Sequence, residues 1–255
     1  LQTNCLWNEI VHDLHQFKIQ SNSTKINIEV DEKMRLGKYV ERFVFFQLTQ
    51  EKSMTILCEN IQIQKEKITL GELDCIVLKN GKPIHLEIIY KFYLYDSAVG
   101  TYEINHFIGP NRKDSLIEKL DKLKHKQLPL LYSNECSAYL KTIHLDTTKI
   151  EQQVYFKAQL FVPFANKEIQ LQQLNASCIV GFYINKEELH QFKDCKFYIP
   201  NKKDWLVIPH KQVSWQFFYQ FKEKYNAYLK RQFSPLFWLK KQNGEIEKFF
   251  LVWWK

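Results

Sequence analysis

The stretch Leu70-Gly71-Glu72-Leu73-Asp74-Cys75-Ile76-Val77-Leu78-Lys79-Asn80-Gly81-Lys82-Pro83-Ile84-His85-Leu86-Glu87-Ile88-Ile89-Tyr90-Lys91 reads as two strands joined by a tight turn. Asn-Gly between β-like runs is a strong hairpin signal, because both residues tolerate the left-handed backbone of a type I′ turn. With that two-residue loop Lys79 pairs with Lys82 and, counting outward, Asp74 with Glu87. Theirs is a non-hydrogen-bonded pair, with Cα atoms ~4.5 Å apart and side chains on one face. Period two adds Glu72 and Lys91 to that face, among Ile76, Leu78 and Ile89. Leu73, Cys75, Val77, Ile84, Leu86, Ile88 and Tyr90 make the opposite face wholly apolar.

Two carboxylates held opposite one another repel and are both penalised by desolvation, so something must compensate. A divalent cation bound by hard oxygen ligands does so, as Mg²⁺ does with one or two carboxylates and water. An ion pair between Lys91 and Glu87 on a solvated face does so too. The apolar residues flanking both faces favour a covered cleft. Glu41 lies on a helix whose stripe includes Gly37, Val44, Phe45 and Leu48. Periodicity leaves it two positions, over the sheet into the same cleft or exposed and paired with Lys38.

Around this hairpin the periodicity changes. Leu6, Ile10, Leu14 and Phe17 predict a helix over residues 5–18, ended by Ser21-Asn22-Ser23-Thr24. Asp31 reads as the N-cap of a second helix running to about residue 50. Strands follow over 54–64, 68–78 and 84–94, then a helix over 111–128 (Leu116, Leu120, Leu123, Leu128) and a strand over 154–163. The fold class is therefore α/β with the order α-β-β-β-α-β. Three regions are expected: an N-terminal helix over 1–24, a core over 25–165 and a smaller α+β part over 166–255. That last part reads as strands near 177–184, 195–199 and 205–208, an aromatic helix over 212–232 and a hairpin turning at Asn243-Gly244. The tail Phe249-Phe250-Leu251-Val252-Trp253-Trp254 reads as a buried closing strand, since an exposed edge of that kind invites aggregation.

The 255 residues, 45% hydrophobic and 25% charged, exclude a disordered or collagen-like chain. Six cysteines never fall as Cys-x-x-Cys, so neither a zinc cage nor a disulfide framework is signalled. No apolar run approaches a membrane span and no signal peptide is evident, so a cytoplasmic protein without a membrane partner is expected. Residues 1–128 carry 18 Lys and Arg against 17 Asp and Glu, and residues 129–255 carry 18 against 11, so net charges of +1 and +7 make up the +8. The basic second half favours a polyanionic partner such as nucleic acid.

Gly71-Glu72-Leu73-Asp74, then Glu87, then a lysine on the same strand, within α-β-β-β-α-β, resembles the restriction-endonuclease-like PD-(D/E)XK nuclease superfamily. More closely, Arg35-Leu36-Gly37-Lys38-Tyr39-Val40-Glu41-Arg42, the hairpin motifs, Lys91-Phe92-Tyr93-Leu94 and Gly109-Pro110-Asn111-Arg112 resemble a bacterial domain of unknown function, family 1853, placed in that superfamily. Leu160-Phe161-Val162-Pro163, Trp205-Leu206-Val207-Ile208-Pro209 and the C-terminal hairpin extend the resemblance. It implies a restriction-endonuclease-like core and a nuclease using Mg²⁺ or Mn²⁺ on DNA or RNA. By that resemblance Glu41, Asp74 and Glu87 are metal ligands, Asp74, Glu87 and Lys91 are catalytic, and Glu72 is a further acid or a partner for Lys91. The acid-x-Lys spacing of the superfamily points to Ile89, whereas the lysine stands two residues further, on the same strand face. Arg112 and Asn111, before a lysine-rich helix, are expected to bind substrate phosphate, or else to serve as a helix stop and cap. Gln127 is expected to face the cleft. Trp215, Phe218, Phe221, Tyr225, Tyr228 and Leu229 are read as core rather than as a base-stacking platform. The alternatives are a non-catalytic nucleic-acid-binding protein and an interaction scaffold whose acids are structural. The displaced lysine favours those two; the retained Asp74 and Glu87 favour the enzyme.

Overall fold

The structure, a computed structural model of the chain, describes residues 3–19, 28, 31 and 33–254. In order these form β1 (Ile10–Val11), β2 (Leu14–His15), α1 (Leu36–Gln50), β3 (Met54–Lys65), β4 (Ile68–Lys79), β5 (Lys82–Tyr95), β6 (Phe107–Ile108), α2 (Leu116–Lys122), α3 (Asn134–Thr142), β7 (Glu151–Pro163), β8 (Ile179–Ile184), β9 (Lys196–Tyr198), β10 (Gln216–Phe217), α4 (Phe218–Leu229), β11 (Leu236–Lys240) and β12 (Ile246–Leu251). The fold is mixed α/β, with a large mixed sheet and few helices. Two compact units divide it, Leu1–Tyr90 with Glu118–Lys157 and Lys91–Ile117 with Ala158–Lys255, and β5 and β7 contribute residues to both.

In the first unit β3, β4 and β5 form the expected antiparallel meander. Asn80 (φ 51°) and Gly81 (φ 82°) are both left-handed, as a type I′ turn requires. The register follows, with Lys79 opposite Lys82 and Cys75 opposite Leu86. α1 begins at Leu36, later than Asp31 would place it. Asp31 instead closes a turn, its carboxylate accepting the Lys33 N–H at 2.8 Å, and Arg35 caps the helix without a side-chain bond. Val40, Glu41, Val44, Phe45 and Leu48 form the buried stripe of α1.

The predicted helix over 5–18 is a correction. His12 (φ 53°) and Asp13 (φ 62°) make a left-handed two-residue turn between β1 and β2, which no helix can contain. The buried residues are Leu6, Trp7, Val11, Leu14 and Phe17, while Ile10 is 51% exposed, so the helical spacing of Leu6, Ile10 and Leu14 was coincidental. Backbone bonds from Leu6 to Phe156 and from Phe17 to Val154, both 2.8 Å, lay this segment along β7. The expected stop at 21–24 lies outside the described residues. The helix predicted over 111–128 is also shorter. α2 covers Leu116–Lys122, then widens into a π-helical turn over Leu123–Gln127 and tightens into a 3-10 turn over Leu128–Tyr132. α3 was not foreseen, because its buried residues are few and it relies on a cap, the Ser133 hydroxyl accepting the Cys136 N–H.

In the second unit β8 lies between β7 and β12, parallel to both, and β11 pairs antiparallel with β12 and β9. Phe249, Phe250, Leu251 and Val252 are buried, so the C-terminal segment is the closing strand its sequence predicts. Its hairpin loop is longer than Asn243-Gly244 alone, closing where Lys241 N–H meets the Glu245 carbonyl. Residues 205–208, read as a strand, instead form the end of a 3-10 turn over Lys202–Leu206 and the irregular segment after it. The aromatic helix is only Phe218–Leu229. It packs Phe221 on Phe197 at 4.3 Å and buries Tyr225, so the stripe is core.

Lys248 on β12 is 4% exposed and donates to Gln159 Oε1 at 2.9 Å and the Trp205 carbonyl at 2.7 Å. These acceptors tie the 3-10 turn to the sheet. Burial pulls the Lys248 ammonium down to about 7. The unfolded chain keeps this proton to about pH 10.4, so folding releases it between those values and stability rises with pH across that window. Relative to wild type, Lys248→Met should therefore lose at least about 1 kcal/mol of stability between pH 7 and pH 9 in urea denaturation. Parallel profiles for the two proteins would mean that Lys248 stays charged in its pocket.

Candidate metal centre

The site grows from the place where β4 and β5 part. Their ladder ends at Cys75 and Leu86, one residue before Asp74 and Glu87. Beyond it, the Ile88 N–H donates to Asp74 Oδ2 at 2.7 Å instead of to a backbone carbonyl. A side chain thus satisfies a donor that the diverging strand leaves behind, and this fixes the carboxylate. On β3, Asn60 lies between Glu59, paired with Cys75, and Ile61, paired with Leu73, and so stands opposite Asp74. Its backbone is left-handed (φ 54°). From above, the buried Glu41 of α1 points to the same place.

One oxygen each from Glu41, Glu72 and Asp74 lies within 4.8 Å of the others. The Lys38 ammonium, one turn before Glu41 on α1, donates to Glu41 Oε2 at 2.7 Å, to Asn60 Oδ1 at 2.7 Å and to Glu72 Oε1. Glu41 thus takes the first of its two readings, buried in the cleft rather than exposed, and it pairs with Lys38 there. Burial pushes the Glu41 carboxyl up, opposed by the Lys38 hydrogen bond and charge. Asp74 is pushed up to about 8, first by burial and then by repulsion from Glu87. The cluster thus holds more carboxylate than its hydrogen-bonded ammonium balances.

Glu87 is fully buried, and both its oxygens have partners. Gln127, on the π-helical turn, donates its amide to Glu87 Oε2 at 2.5 Å while its carbonyl accepts from Lys119 at 2.6 Å. His85 Nε2 is 3.2 Å from Glu87 Oε1. The Gln152 amide nitrogen, which donates to the Leu128 carbonyl at 2.6 Å, also meets His85 Nδ1 at 3.0 Å. With Nδ1 accepting, the ring proton is on Nε2 and faces Glu87. A chain Gln152–His85–Glu87 therefore orients the acid, as outer residues orient metal ligands.

Of the residues named from the sequence, Glu41, Glu72, Asp74, Glu87 and Gln127 come together in the first unit. Lys91, Asn111 and Arg112 belong to the second. There the Lys91 ammonium is 2.6 Å from Asp114 Oδ2. Arg112 pairs with Asp96 at 3.0 Å and lies over the Trp254 ring at 4.5 Å. Asn111 Oδ1 accepts the Ser234 N–H at 2.7 Å, and the Pro110 carbonyl accepts from the Trp254 indole at 2.9 Å. Gly109-Pro110-Asn111-Arg112 forms a clasp on the C-terminal strands, and α2 starts only at Leu116. Lys38, Asn60, His85 and Gln152 were not foreseen as site residues. His85 is two residues before Glu87 and so on its face, a usable signal; Gln152 had none.

In metal-free buffer the raised Asp74 sets a pH dependence. Between its unfolded value near 3.8 and about 8 the folded chain binds a proton the unfolded chain has lost, so stability falls as pH rises through that window. Asp74→Asn keeps an oxygen for Ile88 N–H but does not titrate. Its stability relative to wild type should rise by at least about 1 kcal/mol from pH 4 to pH 8 in urea denaturation with chelator. Parallel pH profiles would remove the charge conflict from this site.

No helix among the described residues is long and apolar enough to cross a membrane. No curated protein and no solved structure matches the chain. Residues 3–252 match the family described as Domain of unknown function (DUF1853), and the chain, matched over nearly its whole length, belongs to that family.

Proposed function

We propose that the chain is a divalent-metal-dependent phosphodiesterase that hydrolyses nucleic acid. The observation that carries this reading is the convergence of Glu41, Glu72 and Asp74 beside Glu87, with Asp74 pushed up to about 8. An all-carboxylate donor set fits Mg²⁺ or Mn²⁺, which prefer hard oxygen ligands, and lacks the thiolate and imidazole donors of a zinc cage. Glu41, Glu72 and Asp74 would hold the ion, with Glu87 as the adjoining acid. Bound there, the ion supplies a Lewis acid that draws charge from a scissile phosphate and lowers the pKa of water. Asp74 is held in place by Ile88 N–H, and His85 and Gln127 hold Glu87. The helix, meander, helix and strand that surround these acids support a PD-(D/E)XK type of core, and the +7 charge of residues 129–255 supports a polyanionic substrate.

A second reading, a non-catalytic nucleic-acid-binding protein, is favoured by one observation. The lysine of the motif, Lys91, is paired with Asp114 in the second unit at 2.6 Å.

Cleavage of labelled single- and double-stranded DNA and RNA with Mg²⁺ or Mn²⁺ separates the two readings. Wild type should cleave at least one of them. Asp74→Asn should reduce the rate more than about 100-fold, and Gln127→Ala, which only orients Glu87, about 10-fold. Mn²⁺ should raise the melting temperature of wild type and not of Asp74→Asn, since an ion bound only by the folded state stabilises it. Binding without cleavage on all four substrates would favour the second reading, and melting curves blind to the metal would remove the ion.

A further inference from the structure

We propose that Lys38 of α1, and not Lys91, is the catalytic lysine of this centre; the proposal rests on the phosphodiesterase reading above. The Lys38 ammonium has three N–H donors, and three acceptors from three elements receive them: Glu41 on α1, Asn60 on β3 and Glu72 on β4. This fixes a positive charge against two of the three converging carboxylates. Lys91, four residues past Glu87, gives its ammonium to Asp114 in the second unit.

The placement also leaves Lys38 reachable. Its side chain is 44% exposed, and it lines an open cleft of about 420 Å³ with Lys33, Arg35, Glu41, Arg42 and Asn60. Among the described charged residues on that lining, Lys33, Arg35, Lys38 and Arg42 stand against Asp31 and Glu41, an excess of cations that suits a phosphodiester strand. The 3.7 Å ion pair of Arg42 with Glu59, both about half exposed, is one that a phosphate can replace at little cost. Of the converging carboxylates Glu41 lines this cleft, and Lys38, also on its lining, bonds Glu41 and Glu72.

The role follows from charge alone. In hydrolysis the oxygen of water bonds to phosphorus and the bond from phosphorus to the leaving oxygen breaks. The proton lost by the water passes to solvent, and the leaving oxygen takes one from solvent. The phosphate gathers negative charge in between, and an ammonium beside it stabilises that charge. Lys38 remains charged throughout. A cation held by Glu41 and Glu72 would compete for the oxygens that Lys38 holds and would free its N–H donors for the phosphate.

The test compares Lys38→Met, Lys38→Arg and Lys91→Met with wild type in Mn²⁺, reading turnover and, separately, substrate affinity in Ca²⁺. Lys38→Met should lower kcat by about 100-fold or more while affinity changes only a few-fold. Lys38→Arg should recover part of the loss, and Lys91→Met should stay within a few-fold of wild type. Should Lys38→Met unfold because Glu41 and Glu72 then repel, the double variant K38M/E72Q relieves the repulsion and is assayed against Glu72→Gln. Wild type that cleaves while Lys38→Met cleaves equally well, or Lys91→Met that is inactive, overturns the role of Lys38 and leaves the phosphodiesterase reading standing. Wild type that cleaves nothing overturns both.

Discussion

Where β4 and β5 part, one hydrogen bond holds the arrangement: the Ile88 N–H donates to the Asp74 carboxylate. An antiparallel ladder that simply ended would leave this donor buried without a partner, at a cost of about 1–3 kcal/mol. Asp74 removes that cost and is itself immobilised, so a carboxylate stands in a covered cleft rather than turning to solvent. Glu41 above it, Glu72 two residues along the same strand and Glu87 across the gap then share the space. Their mutual repulsion is what Lys38 partly relieves and what a divalent ion would relieve further. The raised Asp74 and Glu41 carboxyls reflect that conflict.

The meander, its register and the shared face of Glu72, Asp74 and Glu87 were legible because an Asn-Gly turn and a period of two leave little freedom. The buried C-terminal strand was legible for the same kind of reason, since an apolar run of that composition has to be covered. The first helix failed because Leu6, Ile10 and Leu14 fit a helical period, while the deciding residues His12 and Asp13 adopt a left-handed turn that their types permit but do not demand. The long lysine-rich helix failed because a π-helical turn changes its phase at Leu123. That same turn brings Gln127 to Glu87, so the irregularity hidden from the periodicity is the one that serves the site.

Lys38 illustrates a limit of another sort. Spacing on α1 shows that it neighbours Glu41, but its bonds to Asn60 and Glu72 depend on how a helix packs over two strands. Sequence order drew attention to Lys91, the lysine on the strand that carries Glu87. In the second unit, Arg112 and Asn111 show the converse. Residues that a phosphate site would use are engaged with Asp96, Trp254 and Ser234, where they hold the last strands in place. A segment that reads as a phosphate site can thus belong to the architecture.

The central claim is that the converging acids form a cation site, and the direct measurement is anomalous diffraction from crystals grown with Mn²⁺. The account predicts one strong peak bonded by oxygens of Asp74 and of Glu41 or Glu72, at about 2.0–2.3 Å, with the Lys38 ammonium moved off those oxygens. Crystals in millimolar Mn²⁺ that show no peak there, with Lys38 still bonded to Glu41 and Glu72, would contradict it.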